Sequence, residues 1–279
     1  GREFRWHPRR LDRWRRGDAL FLHDRPERDE VEQLIASTQS SMERRLAVYD
    51  SALRGGAGYV AAAATVNRPL WHTFADSWRL LDQYPGIRGI GVVRQVAAPD
   101  LSAFERALRA EGPVGTRVHE VSGAAPASTR QDHFVITYVF PEAPNLQAIG
   151  LDLSSEPRRA AAAIASRDRG TSVRTERIVL VQDERKRSGF LLYVPVYDPA
   201  LPIGTLEERR RSLTSWVYAP FVTEDLFVAA VREAQLDYWV FDAPTVAADA
   251  LAASTRPGPL PSRFEDVTQV NFGGLPFTI

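Results

Sequence analysis

The sequence predicts an α+β fold, and three observations lead to that class. A helical pattern more than thirty residues long comes first, helix-like and strand-like segments follow in mixed order, and long loops separate strands that can pair antiparallel. No βαβα order is present and no Gly-x-Gly-x-x-Gly sequence follows a strand, so a dinucleotide-binding fold is not predicted. The length of 279 residues corresponds to one large domain or two small ones.

The first element is a long helix, predicted over Asp29–Ala64. Its apolar residues recur mostly at spacings of three, four or seven, and they are Val31, Leu34, Ile35, Met42, Leu46, Tyr49, Leu53 and Val60. A helix of this length in a small protein usually packs against a partner helix or braces several subdomains. The glycines Gly55, Gly56 and Gly58 are not a phosphate loop, because no strand precedes them and no Lys-Ser/Thr follows.

The next segments alternate between helix and strand patterns. An aromatic stripe predicts a second helix over Asn67–Gln83, and Tyr84–Gly86 is a turn. Apolar residues alternating with Arg and Gly predict a strand over Ile87–Val96, and Gly112-Pro113 ends a short helix over Leu101–Glu111.

The middle of the chain begins with a loop over Gly115–Thr129, rich in small residues, before a β-branched strand over His133–Phe140. A short strand over Ala148–Leu153 leads into a helix capped by Ser154 or Ser155. The later strands are predicted over Thr175–Gln182, Gly189–Tyr197, Ser212–Val222, Tyr238–Asp242 and Thr268–Phe272, with a helix over Thr223–Gln235.

Composition excludes several classes of function. Lys+Arg and Asp+Glu are 35 each, so the net charge of +0 provides no positive field for nucleic acid. Cysteine is absent, which excludes thiolate metal sites, cysteine nucleophiles and disulfides. No run of eighteen apolar residues is present, so no segment is predicted to span a membrane.

The start of the chain carries two expectations. The first residue is Gly1 and the single methionine is Met42, which predicts an excised or processed fragment of a longer protein. The segment Gly1–Glu30 is rich in arginine and interleaved with aromatic residues. It is either a patch for an anionic surface or an arm with solvated arginines, and its acidic residues favour the arm.

The sequence holds no recognisable catalytic constellation. No Gly-x-Ser-x-Gly elbow and no Walker A motif occur. The histidines are His7, His23, His72, His119 and His133, and none of them is spaced as a paired metal ligand. Neither a metal nor a cofactor is predicted. An enzymatic function therefore has no positive support.

One carboxylate stands out by its position. Asp152 ends the apolar run Ile149–Leu153 directly before a predicted helix. It either caps the N–H groups of that helix or faces a pocket, where a hydrogen bond from a ligand N–H contributes roughly 1.5–3 kcal/mol. A hydrolase that uses Asp152 as a base lacks any nucleophile or metal partner in the sequence.

Four segments resemble a known family in their order and spacing. They are Tyr84–Gly91, Gly150–Leu153, Gly189–Tyr197 and Trp216–Phe221. From about residue 43 to residue 242 the chain resembles the CHASE domain, the extracytoplasmic sensory module of cyclase and histidine-kinase receptors, and Asn271–Gly274 fits the region beyond.

The resemblance implies an architecture and a location. It implies a long N-terminal helix, with its arm, over residues 1–64. Two tandem PAS-like subdomains follow: a membrane-distal, ligand-binding one over 65–223 and a smaller, membrane-proximal one over 224–279. Transmembrane helices would flank the chain outside the given sequence, which would place it in the periplasm as part of an inner-membrane protein. The N-terminal helix would also be the contact of a homodimer.

The resemblance also implies site residues. In the plant cytokinin receptors of this family an aspartate in the context of Asp152 binds the adenine ring, which favours ligand contact over capping. A further polar contact falls at Gln182 or Asp183. The apolar walls of the pocket would come from Tyr138, Phe140, Leu191, Tyr193 and Trp216. Tyr218 stands where the plant pattern has a glycine, and it is predicted to narrow the pocket against adenine-type ligands.

The leading hypothesis is a non-enzymatic sensor domain that binds a small ligand and transmits the signal through the long helix. Adenine-like compounds are candidate ligands. The output, a kinase or a cyclase, would lie outside this chain. The alternative is a dimerisation and interaction module that senses a periplasmic protein. A cavity of ~300–1,000 Å³ bordered by Asp152 would favour the small-molecule sensor.

Overall fold

The computed structural model describes residues 25–63, 65–79, 83–121, 130–230, 236–256 and 265–279. The first helix, α1 (Arg25–Ala62), is 38 residues long and therefore spans about 57 Å. One stripe of it is buried within the same chain, and its members are Met42, Leu46, Tyr49, Leu53 and Ala57. The α+β class and the long N-terminal helix are confirmed.

Five further helices follow among the described residues. They are α2 (Arg68–Ser77), α3 (Leu101–Glu111), α4 (Pro157–Arg169), α5 (Leu206–Ser212) and α6 (Thr223–Ala230). Side chains that accept N–H bonds begin three of them: Asn67 caps α2, Glu156 caps α4, and Thr205 forms a capping box with Glu208 at α5.

The larger of two sheets has eight strands. They are β1 (Ile90–Ala97), β2 (His119–Glu120), β3 (Asp132–Phe140), β4 (Leu151–Asp152), β5 (Val173–Arg174), β6 (Ile178–Val179), β7 (Ser188–Tyr197) and β8 (Leu213–Val222). Their order is β2-β4-β3-β1-β8-β7-β5, with β6 also paired to β7. The pairs are antiparallel except for β2 with β4.

The large sheet is buried on both faces. The face that α1 covers, the α1 face, includes Val92, Leu192 and Val217. The face that α4 covers, the α4 face, includes Val93, Leu191 and Trp216. Strands covered on both sides read as continuous apolar runs, which is what β7 and β8 show in the sequence.

The smaller sheet has four strands, β9 (Trp239–Phe241), β10 (Leu251–Ser254), β11 (Gln269–Phe272) and β12 (Leu275–Thr278), in the order β10-β9-β12-β11. A two-residue turn, Gly273-Gly274, joins β11 to β12. Both residues have positive φ, +57° and +79°, as the favoured hairpin turn requires. Val240, Phe272 and Phe277 share one hydrophobic cluster with α1 and the α1 face, so a single core spans both sheets.

A buried arginine joins the two sheets. Arg174 of β5 is 1% exposed, and its side chain forms an ion pair of 2.8 Å with Asp242, which follows β9. It donates to the carbonyl oxygens of Phe272 and Pro276 at 3.1 and 3.0 Å. Its guanidinium also lies 4.0 Å from the ring centre of Phe277.

Several predicted boundaries need correction. The second helix ends at Ser77 and not at residue 83, and the first strand begins at Ile90 because residues 87–89 form only an isolated bridge. The cap of α4 is Glu156, since Ser154 and Ser155 belong to a preceding 3-10 turn. Only the short strand β6 lies within the predicted strand 175–182, and β5 ends just before it.

Five of these helices and strands were not predicted, namely α5, β2, β5, β10 and β12. The Arg-rich predicted arm up to residue 24, and residues 122–129 of the predicted loop, lie outside the described residues. Within the described ranges, none of the helices combines the length and the apolar character needed to cross a bilayer.

Candidate functional site

Asp152 is buried, and its carboxylate is held by protein groups. The side chain is 1% exposed. One oxygen, Oδ1, accepts from the backbone N–H groups of Phe134 and Ser154 at 3.0 Å each and from the Ser154 hydroxyl at 2.6 Å. The other, Oδ2, lies 2.7 Å from Nδ1 of His133. Burial raises the pKa of Asp152, but the hydrogen bonds from Ser154, His133 and Phe134 outweigh it, so the pKa lies below its ordinary value.

An ion pair extends this network to the edge of the sheet. Arg130 lies 3.4 Å from Oδ2 of Asp152 and also pairs with Glu120 on β2. Glu120 is aligned with Asp152 in the parallel pair of β2 and β4. Asp152 thus caps a local turn and anchors three strand segments, which corresponds to the capping alternative of the sequence more closely than to an open pocket wall.

The strand register also fixes the direction of Asp152. The residue is paired with Val135 on β3, and directly opposed residues point to the same face. Val135 packs with Val96 and Leu108 of α3. Asp152 therefore points away from the α4 face, where Trp216 lies.

Tyr138 and Phe140 lie on the α1 face and not with the other predicted wall residues. The cause is an irregularity in the pairing of β3 with β1, where Val92 faces Tyr138 but Val93 faces Ile136. Thr137 is the extra residue of this bulge. Because one extra residue shifts the alternation, the side chains after it change faces.

Gln182 and Asp183 line a separate cleft of about 460 Å³, together with Asn145 and Arg187. The Gln182 amide donates to Oδ1 of Asn145 at 3.1 Å. Asp183 forms an ion pair of 2.8 Å with Arg187, and this hydrogen-bonded partner holds the pKa of Asp183 below its ordinary value.

The structure brings four of the predicted pocket residues together on the α4 face: the wall residues Leu191, Tyr193 and Trp216, and Tyr218. The expected single pocket of all nine predicted residues is therefore wrong in its arrangement, since they divide among four places. Trp216 is satisfied, because its Nε1–H donates to the carbonyl oxygen of Ala163 on α4 at 3.1 Å.

The two tyrosines of this group differ from Trp216 in the hydrogen bonding of their polar atoms. Tyr193 and Tyr218 are opposed in the pair of β7 and β8, and their ring centres are 6.4 Å apart. They are 0% and 1% exposed, and neither hydroxyl has a hydrogen-bond partner among the described residues. Burial raises the pKa of both phenols, and the positive charge of Arg159 opposes that shift.

Arg159 completes the polar group on the α4 face. It lies in the first turn of α4 and is 4% exposed. Its Nη2 donates to the carbonyl oxygen of Val179 at 2.8 Å, whereas its buried Nε–H has no partner in the described part of the chain. We call Arg159, Tyr193 and Tyr218 the buried polar triad.

Arg159 was not recognised in the sequence, although a signal exists. It begins the series Arg159, Ala162, Ala163 and Ser166, which has the spacing of one helix face and is buried throughout. An arginine in phase with buried alanines indicates a charge directed into the protein.

A cleft of about 530 Å³ opens beside the α4 face. Its apolar lining includes Ile149, Leu151 and Val181, and its polar lining includes His119 and Glu120. Ile149 and Leu151 belong to the same hydrophobic cluster as Tyr193 and Tyr218. The cleft borders Leu151 and not Asp152, but its volume lies in the range of small-molecule sites.

Comparisons with known proteins agree with this architecture. The family model described as "CHASE domain" matches residues 64–252, more than half of the chain. No curated protein sequence matches.

Several solved structures are similar to the chain, and two of them come from ligand-binding receptors. One is an extracellular ligand binding receptor from Desulfohalobium retbaense DSM5692, with 13% identity and a TM-score of 0.52 over 88% of this chain. The chain spans only 39% of that receptor, and at this identity the likeness shows the fold alone. The other is the ligand-binding domain of the Pseudomonas aeruginosa PAO1 amino acid chemoreceptor PctC in complex with GABA. It has 11% identity and a TM-score of 0.46, and the match covers 90% of this chain and 96% of that one.

Proposed function

The chain belongs to the CHASE domain family of extracellular sensor domains, and on that premise we propose that it is the small-molecule sensor of a transmembrane signalling receptor. The large sheet, within residues 65–223, would be the membrane-distal ligand-binding subdomain. The small sheet, within residues 224–279, would be the membrane-proximal one. The output, a histidine kinase or a cyclase, would belong to other parts of the receptor.

The observation that carries this proposal is the buried polar triad. Buried hydroxyl and guanidinium groups are normally hydrogen-bonded, because leaving one unpaired costs about 1–3 kcal/mol. Three donors without partners among the described residues, the Nε–H of Arg159 and the hydroxyls of Tyr193 and Tyr218, lie on the α4 face, and the charge of Arg159 acts on both phenols. A bound small molecule that supplies the partners accounts for their retention.

The neighbouring cleft provides the route to this group. Val181 lines the cleft, and Val179, two residues earlier, accepts the hydrogen bond from Arg159. A ligand entering the cleft would therefore meet the strand segment that holds the guanidinium. Displacing that hydrogen bond would couple entry to a movement of the first turn of α4.

Signal transmission would follow from the contacts between the sheets. Thr175, next to Arg174, donates its N–H to the carbonyl oxygen of Leu191, which lies on the α4 face. Arg174 itself is bonded to the small sheet. A ligand that binds one arrangement of the α4 face more tightly would shift the population of both sheets and of α1.

Other contacts from the family resemblance stay predictions. Asp152, Gln182 and Asp183 would each have to exchange a protein partner for a ligand atom. An adenine-like ligand would also have to fit beside Tyr218, whose ring occupies the α4 face.

A thermal-shift screen against a metabolite library tests the proposal. A specific ligand at a hundredfold excess over Kd stabilises by about 2.7 kcal/mol, which corresponds to roughly 5–10 °C in Tm for a chain of this size. We expect at least one compound to produce such a shift in the wild type and a much smaller one in a Tyr193→Phe/Tyr218→Phe double variant.

Tyr49→Phe is the matched control, because the Tyr49 hydroxyl has a partner, the carbonyl oxygen of Pro85 at 2.6 Å. This variant should keep the full ligand-induced shift. Equal shifts in the double variant would place the ligand elsewhere. If no compound stabilises the wild type while a periplasmic protein binds it directly, the interaction module is the correct alternative.

A further inference from the structure

We infer that the buried polar triad is a carboxylate subsite, in which Arg159 binds the anion and the hydroxyls of Tyr193 and Tyr218 donate to it. The inference rests on the proposed sensor function and names the chemical class of its ligand. That class is a small organic acid.

The first argument is the uncompensated charge. Arg159 is 4% exposed, yet no carboxylate of the described residues lies within ion-pair distance of its guanidinium. Buried arginines are nearly always paired, because an isolated charge in a protein interior is strongly unfavourable. An anion bound at Arg159 would supply the missing charge.

The acidic residue at the start of the same helix does not fill this role. Glu156 directs its two carboxylate oxygens to the backbone N–H groups of Arg158 and Arg159, at 3.3 and 3.1 Å. It therefore stabilises the N-terminus of α4 and leaves the Arg159 side chain without an acidic hydrogen-bond partner.

The second argument is the match of donors to acceptors. The guanidinium Nε–H can only donate, and each tyrosine hydroxyl carries one proton to donate. A carboxylate is acceptor-only and has about four lone-pair positions, so it can accept from all three groups. A neutral purine would leave the charge of Arg159 uncompensated.

The third argument is the size of the charge. The triad contains one positive side chain and two neutral ones, so its net charge of about +1 balances a single negative charge. A phosphate group carries about −1.5 to −2 near neutral pH and would leave an excess of buried negative charge. The triad therefore fits a monocarboxylate better than a phosphate ester.

The test uses carboxylic acids paired with their primary amides, from acetate and acetamide to benzoate and benzamide. Inorganic phosphate and adenine serve as separate probes. Thermal shift identifies binders, and calorimetry measures their Kd. We expect at least one acid to bind the wild type and its amide to bind at least tenfold more weakly. We expect Arg159→Gln to raise the Kd for that acid by at least tenfold, about 1.4 kcal/mol.

Arg158→Gln is the matched control, because Arg158 is the preceding residue of the same helix and its side chain is 55% exposed. This variant should bind the acid like the wild type. Arg159→Gln should fold with an unchanged or higher Tm, since it removes an unpaired buried charge. A Tyr193→Phe/Tyr218→Phe double variant provides a second, conservative test and should bind the acid at least threefold more weakly.

The outcomes separate this inference from the proposed function. If phosphate or adenine binds and no acid does, or if acid and amide bind equally, the sensor function stands and the carboxylate inference is wrong. Undiminished binding of the acid to Arg159→Gln also overturns it. If neither these probes nor the metabolite library stabilise the protein, both the inference and the sensor function fail.

Discussion

At the scale of single residues, the buried carboxylate of Asp152 has a structural role because protein groups donate hydrogen bonds to it. Besides Arg130, four donors converge on its two oxygens, from Phe134, Ser154 and His133. Replacing it with alanine would leave these donors buried and unpaired, at about 1–3 kcal/mol for each one that water cannot reach. We expect Asp152→Ala to reduce the free energy of unfolding by about 3 kcal/mol or more in urea titrations.

Asp198→Ala is the control for Asp152→Ala, because Asp198 makes the same kind of local bond, to the N–H of Ala200 at 2.9 Å, near the surface. Its loss should cost about 0.5–1 kcal/mol. Similar costs for the two variants would mean that the Asp152 network contributes little to stability and leaves the side chain available for a ligand.

Tyrosine hydroxyls provide a second prediction at this scale. The hydroxyl of Tyr218 is buried without a described partner, whereas that of Tyr49 donates to Pro85. Without ligand, Tyr218→Phe should be neutral or stabilising, and Tyr49→Phe should cost about 1 kcal/mol. Urea unfolding of both variants measures the difference, and an equal loss in the two would reveal a hidden partner of Tyr218.

The site could be predicted only in part from the sequence. Strand alternation correctly places Trp216 and Tyr218 on one face, because β8 has no irregularity between them. Tyr138 was assigned to the wrong group because the bulge at Thr137 depends on pairing with β1, which no local pattern encodes. The partners of Asp152 come from β3 and could not be inferred from its own segment.

At the scale of elements, an ion cluster joins the end of α4 to α5. Asp168 accepts from Arg210 at 2.7 Å and from Arg167 at 2.7 Å. These bonds, led by the one from Arg210, lower the pKa of Asp168 from 3.8 to about 2. The carboxylate therefore stabilises the fold above about pH 4, and this contribution is lost as the pH falls from about 4 to about 2.

We expect Asp168→Asn to cost about 1 kcal/mol at pH 7, a value reduced by solvent because Arg210 is half exposed. The difference from the wild type should shrink when urea unfolding is repeated at pH 3. Glu176→Gln, at an exposed pair with Arg158, should show no such change. A pH-independent cost for Asp168→Asn would contradict the assigned role of its charge.

The elements were predictable where the signal is local. The bounds of α3 are as predicted because Gly112-Pro113 ends it, and α5 could have been found from its capping box at Thr205 and Glu208. The turn Gly273-Gly274 was likewise a hairpin signal next to a recognised strand. In contrast, β5 ends at Arg174, whose backbone N–H and side chain bond to Gly273 and Phe272 of the small sheet, a tertiary contact that no local pattern encodes.

At the scale of the whole molecule, the Arg174–Asp242 pair should make the two sheets cooperative. Removing one partner of a buried ion pair costs about 3–5 kcal/mol, because the other charge stays buried. Burial already lowers the pKa of Arg174, against the effect of Asp242. We expect Asp242→Ala to reduce the free energy of unfolding by this amount. We also expect the small sheet of this variant to unfold separately from the large one.

Asp237→Ala is the control for Asp242→Ala, since its pair with Arg256 is exposed, and it should cost no more than about 1 kcal/mol. Urea unfolding followed by hydrogen exchange of both sheets distinguishes the cases. A single transition with an unchanged midpoint in Asp242→Ala would show that α1 alone couples the sheets.

Assembly is the last property at this scale, and the structure changes the reason for the predicted homodimer. The stripe that includes Leu46 and Leu53 is covered by the chain's own sheets, so it cannot be the contact. The stripe continues in phase toward the N-terminus through Val31, Leu34 and Ile35, which are only half buried. Their spacing of three and four is that of a helix pair, so we predict that two copies of α1 associate through these first turns.

A Leu34→Arg/Ile35→Arg double variant tests this contact. It should shift the monomer–dimer equilibrium toward monomer by at least tenfold in sedimentation at increasing concentration, with little effect on Tm because these turns lie outside the buried core. Ala47→Arg is the matched control, since Ala47 is exposed on the same helix and lies on the side away from Leu34 and Ile35. A wild type that stays monomeric at every concentration, or a dimer that the double variant leaves intact, would contradict the prediction. In either case the half-buried residues would serve contacts within a single copy of the protein.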